Sequence, residues 1–271
     1  MSIASEITRL QTAKSTLKTK LNAKNDAQHQ ITNETIDDYG AFVDSISADL
    51  SEYYTTSLSN GTAAAPGIAY SIKAAPSNFT CGNNLSYAFT NCTNLTTGPS
   101  LSTSNVTNMS NMFESCSNLT EIPLLDTSSV TNMSYMFSSC SKLETVPQLN
   151  TSNVTNMTFM FALCNSKLKQ VPLFNTSKVT NMSYMFTNCT SLETVPQFDA
   201  SKVTNFTNMF DGCTRLSNNS LNNIMAMCVG ATSYTGTKTL KRLGLSSSNA
   251  TICTGLSNYS AFTSAGWTTG Y

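Results

Sequence analysis

The sequence has few charged side chains and no excess of either sign. Only 11% of its 271 residues are charged, with fifteen Lys and Arg against fifteen Asp and Glu. Nucleic acids and anionic membranes are bound through concentrated positive charge. No run of about 18 apolar residues is present either, as a membrane-spanning helix would need. We therefore expect no nucleic-acid partner and no membrane insertion.

Histidine is nearly absent. His29 is the only one, and it lies in a polar stretch far from any cysteine or carboxylate cluster. Ser-His-Asp and Cys-His catalysis, like multi-histidine metal sites, need a histidine beside their other groups. The opening residues MSIASEITRL also lack the apolar centre of a secretion signal. We expect a protein that is not an enzyme, takes no cofactor or metal, and is made without a secretion signal.

A repeat of 24 residues occupies the middle of the chain. Each copy carries a phenylalanine three residues before a cysteine, and successive cysteines lie 24, 24, 24, 25 and 24 residues apart. The longer copy gains its extra residue after Cys164. One unit of this length cannot bury its own apolar face, so copies must stack. The six pairs are Phe89 and Cys92, Phe113 and Cys116, Phe137 and Cys140, Phe161 and Cys164, Phe186 and Cys189, and Phe210 and Cys213.

The spacing of apolar residues within a repeat predicts its secondary structure. From Val130 they recur at offsets of 0, 3, 6, 7, 10 and 13, which is a helical pattern. The following LETVP segment suits one short strand that ends at proline. The predicted fold is an α/β repeat solenoid, a leucine-rich-repeat-like stack of about six 24-residue rungs over residues 81–218.

The pattern MFxxCxxLxxxP, joined to TSxVTNMS, resembles the leucine-rich repeats of BspA-like bacterial surface proteins. The resemblance covers about half the chain and recurs in six copies. It implies a binding scaffold used in adhesion, with no reaction attached.

The region before the repeats is predicted to be helical. Ile7, Leu10, Leu17 and Leu21 fall on a short heptad seam, which indicates a docking or oligomerisation module over residues 1–50. Residues 51–80 are predicted to form a turn-rich linker and the N-terminal cap of the solenoid. A helical cap on the stack is the alternative interpretation of the first 50 residues.

Both ends of the chain carry a second resemblance. EITRLQTAKSTLKTKL with TIDDYGAFVDSI resembles N-terminal segments of bacteriophage tail-associated structural proteins, and residues 219–271 resemble the closing segment of phage proteins with such repeats. This implies a virion protein assembled in the host cytoplasm as a homo-oligomer. Its partners would be other virion proteins and a protein or glycan of the host-cell surface. A BspA-like bacterial adhesin and a glycan-cleaving enzyme remain as alternatives.

The C-terminal segment, residues 219–271, is predicted to cap the last repeat. Leu221, Ile224, Met225 and Cys228 form one helical stripe. Trp267 is expected to pack with nearby leucines over the end of the stack, because the last rung would otherwise expose its apolar side chains.

Three carboxylate and lysine positions could form an enzymatic or a structural feature. Glu144 and Glu193 share one repeat position two rungs apart, hence about 10 Å, and a carboxylate-pair glycosidase is the enzymatic alternative that they offer. Lys169 lies between them in the stack. A surface ladder of alternating charge is the favoured interpretation.

One aromatic set does not fit the apolar face. Tyr87, Tyr135, Phe159 and Tyr184 share the position two residues before the phenylalanine, and Asn111 and Asn208 interrupt the series. We call these four residues the aromatic row. They are expected to be exposed and could stack on sugars or partner side chains. Packing between neighbouring subunits, or aromatic side chains simply tolerated on the surface, are the alternatives.

Two sets of polar residues also recur once per repeat. Asn108 and its counterparts are expected to satisfy turn backbone rather than to carry glycans. Asp126, Asn150, Asn175 and Asp199 are expected to cap the short helices and not to bind calcium. The six repeat cysteines are predicted to be buried, reduced thiols, since parallel side chains and a reducing cytosol disfavour disulfides.

Overall fold

The computed structural model of the protein describes residues 82–270. The predicted N-terminal module with Ile7, Leu10, Leu17 and Leu21, and the whole of the predicted linker, therefore lie outside the described residues.

Neighbouring repeats lie side by side and are joined through their backbones. Parallel bridges link one asparagine of each repeat to its counterpart in the next, as from Asn132 to Asn156. Beyond this bridge, the N–H groups of Tyr135, Phe137 and Ser139 donate to carbonyls of the next repeat at 2.7–2.9 Å. We call each repeat a rung of the stack. The bridged asparagines are Asn84, Asn108, Asn132, Asn156, Asn181 and Asn205.

Each rung is built from turns, which corrects the predicted helix. Alternate N–H groups point to the next rung, while those of Ser138 and Cys140 close turns with carbonyls three residues earlier. An α-helix would instead bond every N–H to the carbonyl four residues back. Within residues 82–217 there is no helix, and the predicted strand is reduced to isolated bridges such as Gln170 to Thr194.

A left-handed backbone recurs at two positions of every rung. In the rung of Tyr135, φ is 59° at Tyr135 and 63° at Ser139. Left-handed residues cannot continue a right-handed helix, so the apolar spacing ends up on turns. The first position holds Tyr87, Asn111, Tyr135, Phe159, Tyr184 and Asn208, and the second holds Asn91, Ser115, Ser139, Leu163, Asn188 and Gly212.

Columns of identical side chains form the core of the stack. The phenylalanines before each cysteine are fully buried, and consecutive rings stack with centroids 5.5–5.8 Å apart. Columns of buried Val, Met, Cys and Leu surround them. Burying one such side chain contributes about 1.5 to 3 kcal/mol, so each rung is held mainly by its contacts with its neighbours.

Within residues 82–270, helices begin only after the last repeat. They are α1 (Asn218–Gly230), a 3₁₀-helix (Lys241–Leu243), α2 (Ser247–Cys253) and α3 (Tyr259–Ser264). Ser217 caps α1 by accepting a hydrogen bond from the Ser220 N–H. The predicted stripe of Leu221, Ile224, Met225 and Cys228 is buried, as expected. None of the helices within residues 82–270 has the length and apolar character to cross a membrane.

The 3₁₀-helix takes the place of a further rung. The Asn208 and Phe210 N–H groups donate to the carbonyls of Arg242 and Leu243 at 2.9 and 2.8 Å, continuing the ladder of the preceding repeats. Trp267 is 1% exposed and stacks on Tyr234 at 5.4 Å. Its predicted packing role is confirmed.

Candidate ligand-binding surface

The aromatic row lies on the surface formed by the rungs, and three of its four rings are stacked on one another. Tyr87 is 46% exposed, whereas Tyr135, Phe159 and Tyr184 are half-buried. The Phe159 ring lies between the other two, with centroids 4.6 Å from Tyr135 and 4.5 Å from Tyr184 and interplanar angles of 10° and 8°. Both faces of Phe159, and one face each of Tyr135 and Tyr184, are therefore covered.

Backbone geometry places these rings. Tyr135 has a φ of 59°, and its N–H donates to the Thr158 carbonyl of the next rung at 2.9 Å. Phe159 and Tyr184 share this arrangement through Ser183 and Thr207. A bulky side chain with positive φ costs on the order of 1 kcal/mol. The hydrogen bonds to the next rung hold the strained residues in place.

The residue three positions later differs between aromatic and asparagine rungs. Asn111 is followed by Glu114, and its Nδ2 donates to Glu114 Oε2 at 2.8 Å. Asn208 is likewise followed by an acidic residue, Asp211. Aromatic rungs carry a small side chain at this place instead: Thr90, Ser138, Ala162 and Thr187. A large ring thus accompanies a small neighbour, and an asparagine accompanies a carboxylate.

Electrostatics link the first part of the row. Burial is the main cause that raises the pKa of Tyr135, and the negative charges of Glu114 and of ionised Tyr87 raise it further. Tyr87, Glu114 and Tyr135 therefore lie within electrostatic reach of one another.

The three charged candidates occupy one side of the stack without forming a cluster. Glu144 and Lys169 are exposed and Glu193 is half-buried. The Glu144 N–H donates to the Thr120 carbonyl and the Glu193 N–H to the Lys169 carbonyl, both at 2.9 Å. This arrangement places the two carboxylates on separate rungs with the lysine rung between them.

The repeated asparagines serve the backbone, as predicted. The side-chain oxygen of Asn132 accepts the Ser134 N–H at 3.0 Å, and each counterpart from Asn84 to Asn205 does the same. Asp126 accepts the N–H and the hydroxyl of Ser128, and these bonds lower its pKa. The predicted helix-capping role of this second set is corrected, because the segments that follow are turns.

The cysteine column carries hydrogen bonds that the sequence did not suggest. The Cys140 Sγ donates to the Phe113 carbonyl at 3.0 Å, and the cysteines of the other rungs from Cys116 to Cys213 repeat this bond. All six are buried free thiols, as predicted. Burial raises the pKa of Cys213 to about 12 and that of Cys164 well above its usual value.

No group of three or more His, Cys, Asp or Glu side chains within residues 82–270 is arranged to hold a metal ion. The five thiols from Cys116 to Cys213 each donate a hydrogen bond to a phenylalanine carbonyl of the preceding rung.

Comparison with known families identifies the repeats. A family model described as "Mycoplasma protein of unknown function, DUF285" matches residues 83–166 and again residues 144–235, so that together the matches span more than half of the chain. The chain belongs to the DUF285 family. This family is associated with BspA-like repeat proteins. No curated protein and no solved structure matches the chain.

Two features of the DUF285 repeats escaped the sequence analysis. The left-handed positions were signalled by Asn111, Asn188 and Gly212, since asparagine and glycine tolerate positive φ best. Exposed leucines were also missed: Leu124 and Leu173 share one repeat position and are 71% and 58% exposed. An apolar residue at a position that holds glutamine in other copies was the available signal.

Proposed function

We propose that this DUF285 protein is a non-enzymatic structural protein of a bacteriophage virion, part of the tail, baseplate or fibres. Its repeats form a leucine-rich-repeat-like solenoid that contacts the host-cell surface or neighbouring virion proteins. Its N-terminal helices dock it in the particle as a homo-oligomer. It assembles in the host cytoplasm.

The observation that carries the proposal is how the polar groups of the repeats are used. Asparagine oxygens accept turn N–H groups, and threonine hydroxyls donate to carbonyls of the adjacent rung, as from Thr155 to Thr131 at 3.2 Å. Cysteine thiols do the same inside. These side chains maintain a regular surface, which suits a protein that presents contacts along a stack. The resemblance of both chain ends to phage tail-associated proteins is the reason that we place the protein in a virion.

A BspA-like bacterial surface adhesin is the second candidate. The association of the DUF285 family with BspA-like repeat proteins favours it. The two candidates share the binding role of the repeats and differ in what carries them. A longer precursor with a secretion signal or a wall anchor would favour the adhesin over the virion protein.

Mass spectrometry of purified virions, combined with immunogold labelling, tests the proposal directly. The chain should be found in the particle at a fixed position on the tail. Its absence from virions of a phage that encodes it would overturn the proposal. Turnover of host polysaccharide by the purified protein, lost on Glu144→Gln or Glu193→Gln, would favour a glycan-cleaving enzyme instead.

The docking role of the N-terminal segment has its own test. The predicted seam of Ile7, Leu10, Leu17 and Leu21 is too short for a stable helix alone in water, so we expect its apolar face to be buried against partner chains or against a second helix of the same segment, and we favour partner chains. Deleting residues 1–50 should leave a folded, monomeric protein that is no longer incorporated into virions. A full-length Leu10→Asp/Leu17→Asp variant should show the same assembly defect. Normal incorporation of either variant would mean that these helices are only a cap.

A further inference from the structure

The aromatic row contains a gap with a ring on each side. Tyr87 and Tyr135 occupy the same repeat position two rungs apart, and Asn111 fills that position in the rung between them. Tyr135 is covered by Phe159 on its other face. The shared backbone position of Tyr87, Asn111 and Tyr135 in consecutive rungs leads us to expect a slot there, bordered by the side chain of Tyr87 and the uncovered face of Tyr135, with Asn111 as its floor. We call this the tyrosine slot.

The width of the tyrosine slot follows from the spacing of the row. Neighbouring rings are separated by 4.5–4.6 Å, which is close to the strand spacing of a parallel sheet, so two steps give roughly 9 Å. Carbon atoms make their best contact at about 3.5 to 4.0 Å. A puckered saturated ring can touch both faces across this gap. A flat group, such as a guanidinium, would touch only one.

The floor of the slot offers hydrogen-bond acceptors. Asn111 is 9% exposed, and its Nδ2 is engaged with Glu114 Oε2. The Oδ1 atom of Asn111 and the Oε1 atom of Glu114 make no hydrogen bond with any of the residues 82–270. A ligand that enters between the rings with hydroxyl groups at its edge can donate to both oxygens. Aromatic walls with a polar floor are the usual composition of a small-ligand site.

We propose that the tyrosine slot binds one pyranose unit of a host-surface glycan. The C–H faces of the sugar pack against Tyr87 and Tyr135, and its hydroxyls donate to Asn111 Oδ1 and Glu114. The proposal deepens the attachment role given above and rests on it only for which surface carries the glycan. The gap at Asn208 forms no second slot, because the next rung there is the Lys241–Leu243 segment and brings no second ring.

A filled-slot variant provides the sharpest test. In the rung of Tyr135 a tyrosine is paired with the small residue Ser138, so Asn111→Tyr/Glu114→Ser copies a pair that the stack already accommodates. The variant should stay folded, with a cooperative urea transition, and close the slot. Tyr87→Ala removes one wall at an exposed position. Tyr184→Ala is the matched control, since it removes a ring of the row that does not border the slot.

Saturation-transfer NMR would use the full chain with methyl β-glucopyranoside, methyl β-galactopyranoside and methyl N-acetyl-β-glucosaminide as probes, and tetramethylammonium as a cationic probe. At least one glycoside should show transfer to its ring C–H protons. Binding should weaken at least tenfold in the filled-slot and Tyr87→Ala variants and stay unchanged in Tyr184→Ala.

Three outcomes would overturn the slot: no transfer to any of the glycosides, equal transfer in the filled-slot variant, or binding of tetramethylammonium alone. The virion tests separate this failure from that of the proposed function. If the protein binds the glycoside but is absent from virions, the proposed slot is supported and the proposed phage role is wrong. If the protein is found in virions but binds none of the glycosides, the proposed phage role is supported and the proposed slot is wrong.

Discussion

The repeats of residues 82–217 and the C-terminal segment of residues 218–270 bury their aromatic side chains in different ways. In the repeats, each phenylalanine that precedes a cysteine stacks on the same phenylalanine of the next rung, and these rings are parallel within 13°. In the C-terminal segment, Trp267 meets Tyr234, Phe206 and Phe262 at angles from 14° to 73°. The repeats thus use one arrangement of aromatic rings many times, whereas the C-terminal segment has an arrangement that occurs once.

The two regions also treat positive φ differently. The repeats place Tyr, Phe, Ser, Leu and Asn in the left-handed region at eleven positions, while the C-terminal segment uses Gly244, Gly266 and Gly270. Each of these repeat residues donates its N–H to the following rung or its substitute. The comparison teaches that a backbone ladder can hold residues in a conformation for which glycine is otherwise selected.

We expect the largest difference between the two regions at alkaline pH, where the free energy of unfolding should fall mainly because of the buried thiols of the repeats. Burial raises the thiol pKa of Cys140, Cys164 and Cys189 well above the usual value and that of Cys213 from 9.0 to about 12. The folded state thus keeps protons that the unfolded state releases. The stabilisation is complete below about pH 9 and is lost as the pH rises toward 12, by roughly 1.4 kcal/mol per pH unit for each thiol.

Urea unfolding between pH 8 and 11 checks this loss, with thiolate absorbance as the second signal. The repeats hold more of these thiols than the C-terminal segment, which has Cys228 and Cys253. Replacing Cys140 and Cys164 by Ala should therefore make the decline with pH shallower. An equal decline in that variant would contradict the prediction. Unfolded, unreduced protein should also yield at least six titratable thiols, and fewer than about four would mean that the cysteines are not free.

Removing one ring from the phenylalanine column should have the next largest effect. Phe137 stacks between Phe113 and Phe161 and is fully buried. Phe137→Ala opens a cavity between rungs and should lower the free energy of unfolding by about 3 to 5 kcal/mol, measured by urea denaturation. A loss below 1 kcal/mol would show that the column does not support the stack. Phe262→Ala offers the comparison in the unique core, with a cost in the same range.

A methyl group at Gly244 tests how closely the C-terminal segment fits the last rung. Gly244 has a φ of 82°, and a Cβ there would lie 2.6–2.7 Å from Asp211 atoms. Gly244→Ala should cost about 2 to 4 kcal/mol through backbone strain and overpacking. Gly255→Ala is the control, because its nearest neighbour would lie at 3.7 Å. Equal urea midpoints for the two variants would rule out the tight fit.

The smallest expected effect concerns backbone strain in the repeats. Ser115 has a φ of 61°, whereas Ser117 of the same rung is not left-handed. Ser115→Gly should stabilise the protein by up to about 1 kcal/mol, while Ser117→Gly should destabilise it by about 0.5 to 1 kcal/mol. Thermal unfolding of both variants measures the difference. The same sign for both would mean that the left-handed conformation carries no strain.

Periodicity predicted which residues are buried more accurately than it predicted the backbone. Val130, Met133, Met136, Phe137 and Cys140 are all fully buried, although they lie on turns and not on a helix. The turn-built rung buries the same spacing of side chains that a helix would, so the apolar pattern alone cannot separate the two. In α1 the same pattern does mark a helix, because the Ser217 cap is present and no left-handed residue interrupts it.

The candidate surface was predicted in part. The position of the aromatic row outside the core followed from its mismatch with the apolar residues. The sequence did not predict the stacking of three of these rings, those of Tyr135, Phe159 and Tyr184. This stacking depends on the separation between rungs and on the left-handed backbone that places each ring. The amide of Asn111 and the carboxylate of Glu114 are three residues apart, and only the turn geometry showed that they are hydrogen-bonded.

The extra residue of the copy after Cys164 has a consequence for how such proteins change in length. The bridge from Asn156 to Asn181 spans this insertion, and the bridge from Asn181 to Asn205 follows it in the regular spacing. Successive rungs share the same backbone ladder and the same buried phenylalanine column, although they differ at the aromatic row. We therefore expect whole copies to be gained or lost by recombination between repeats, provided that the closing segment keeps the Arg242 and Leu243 carbonyls in place. A gene of this design can vary the reach of its product while leaving both ends unchanged.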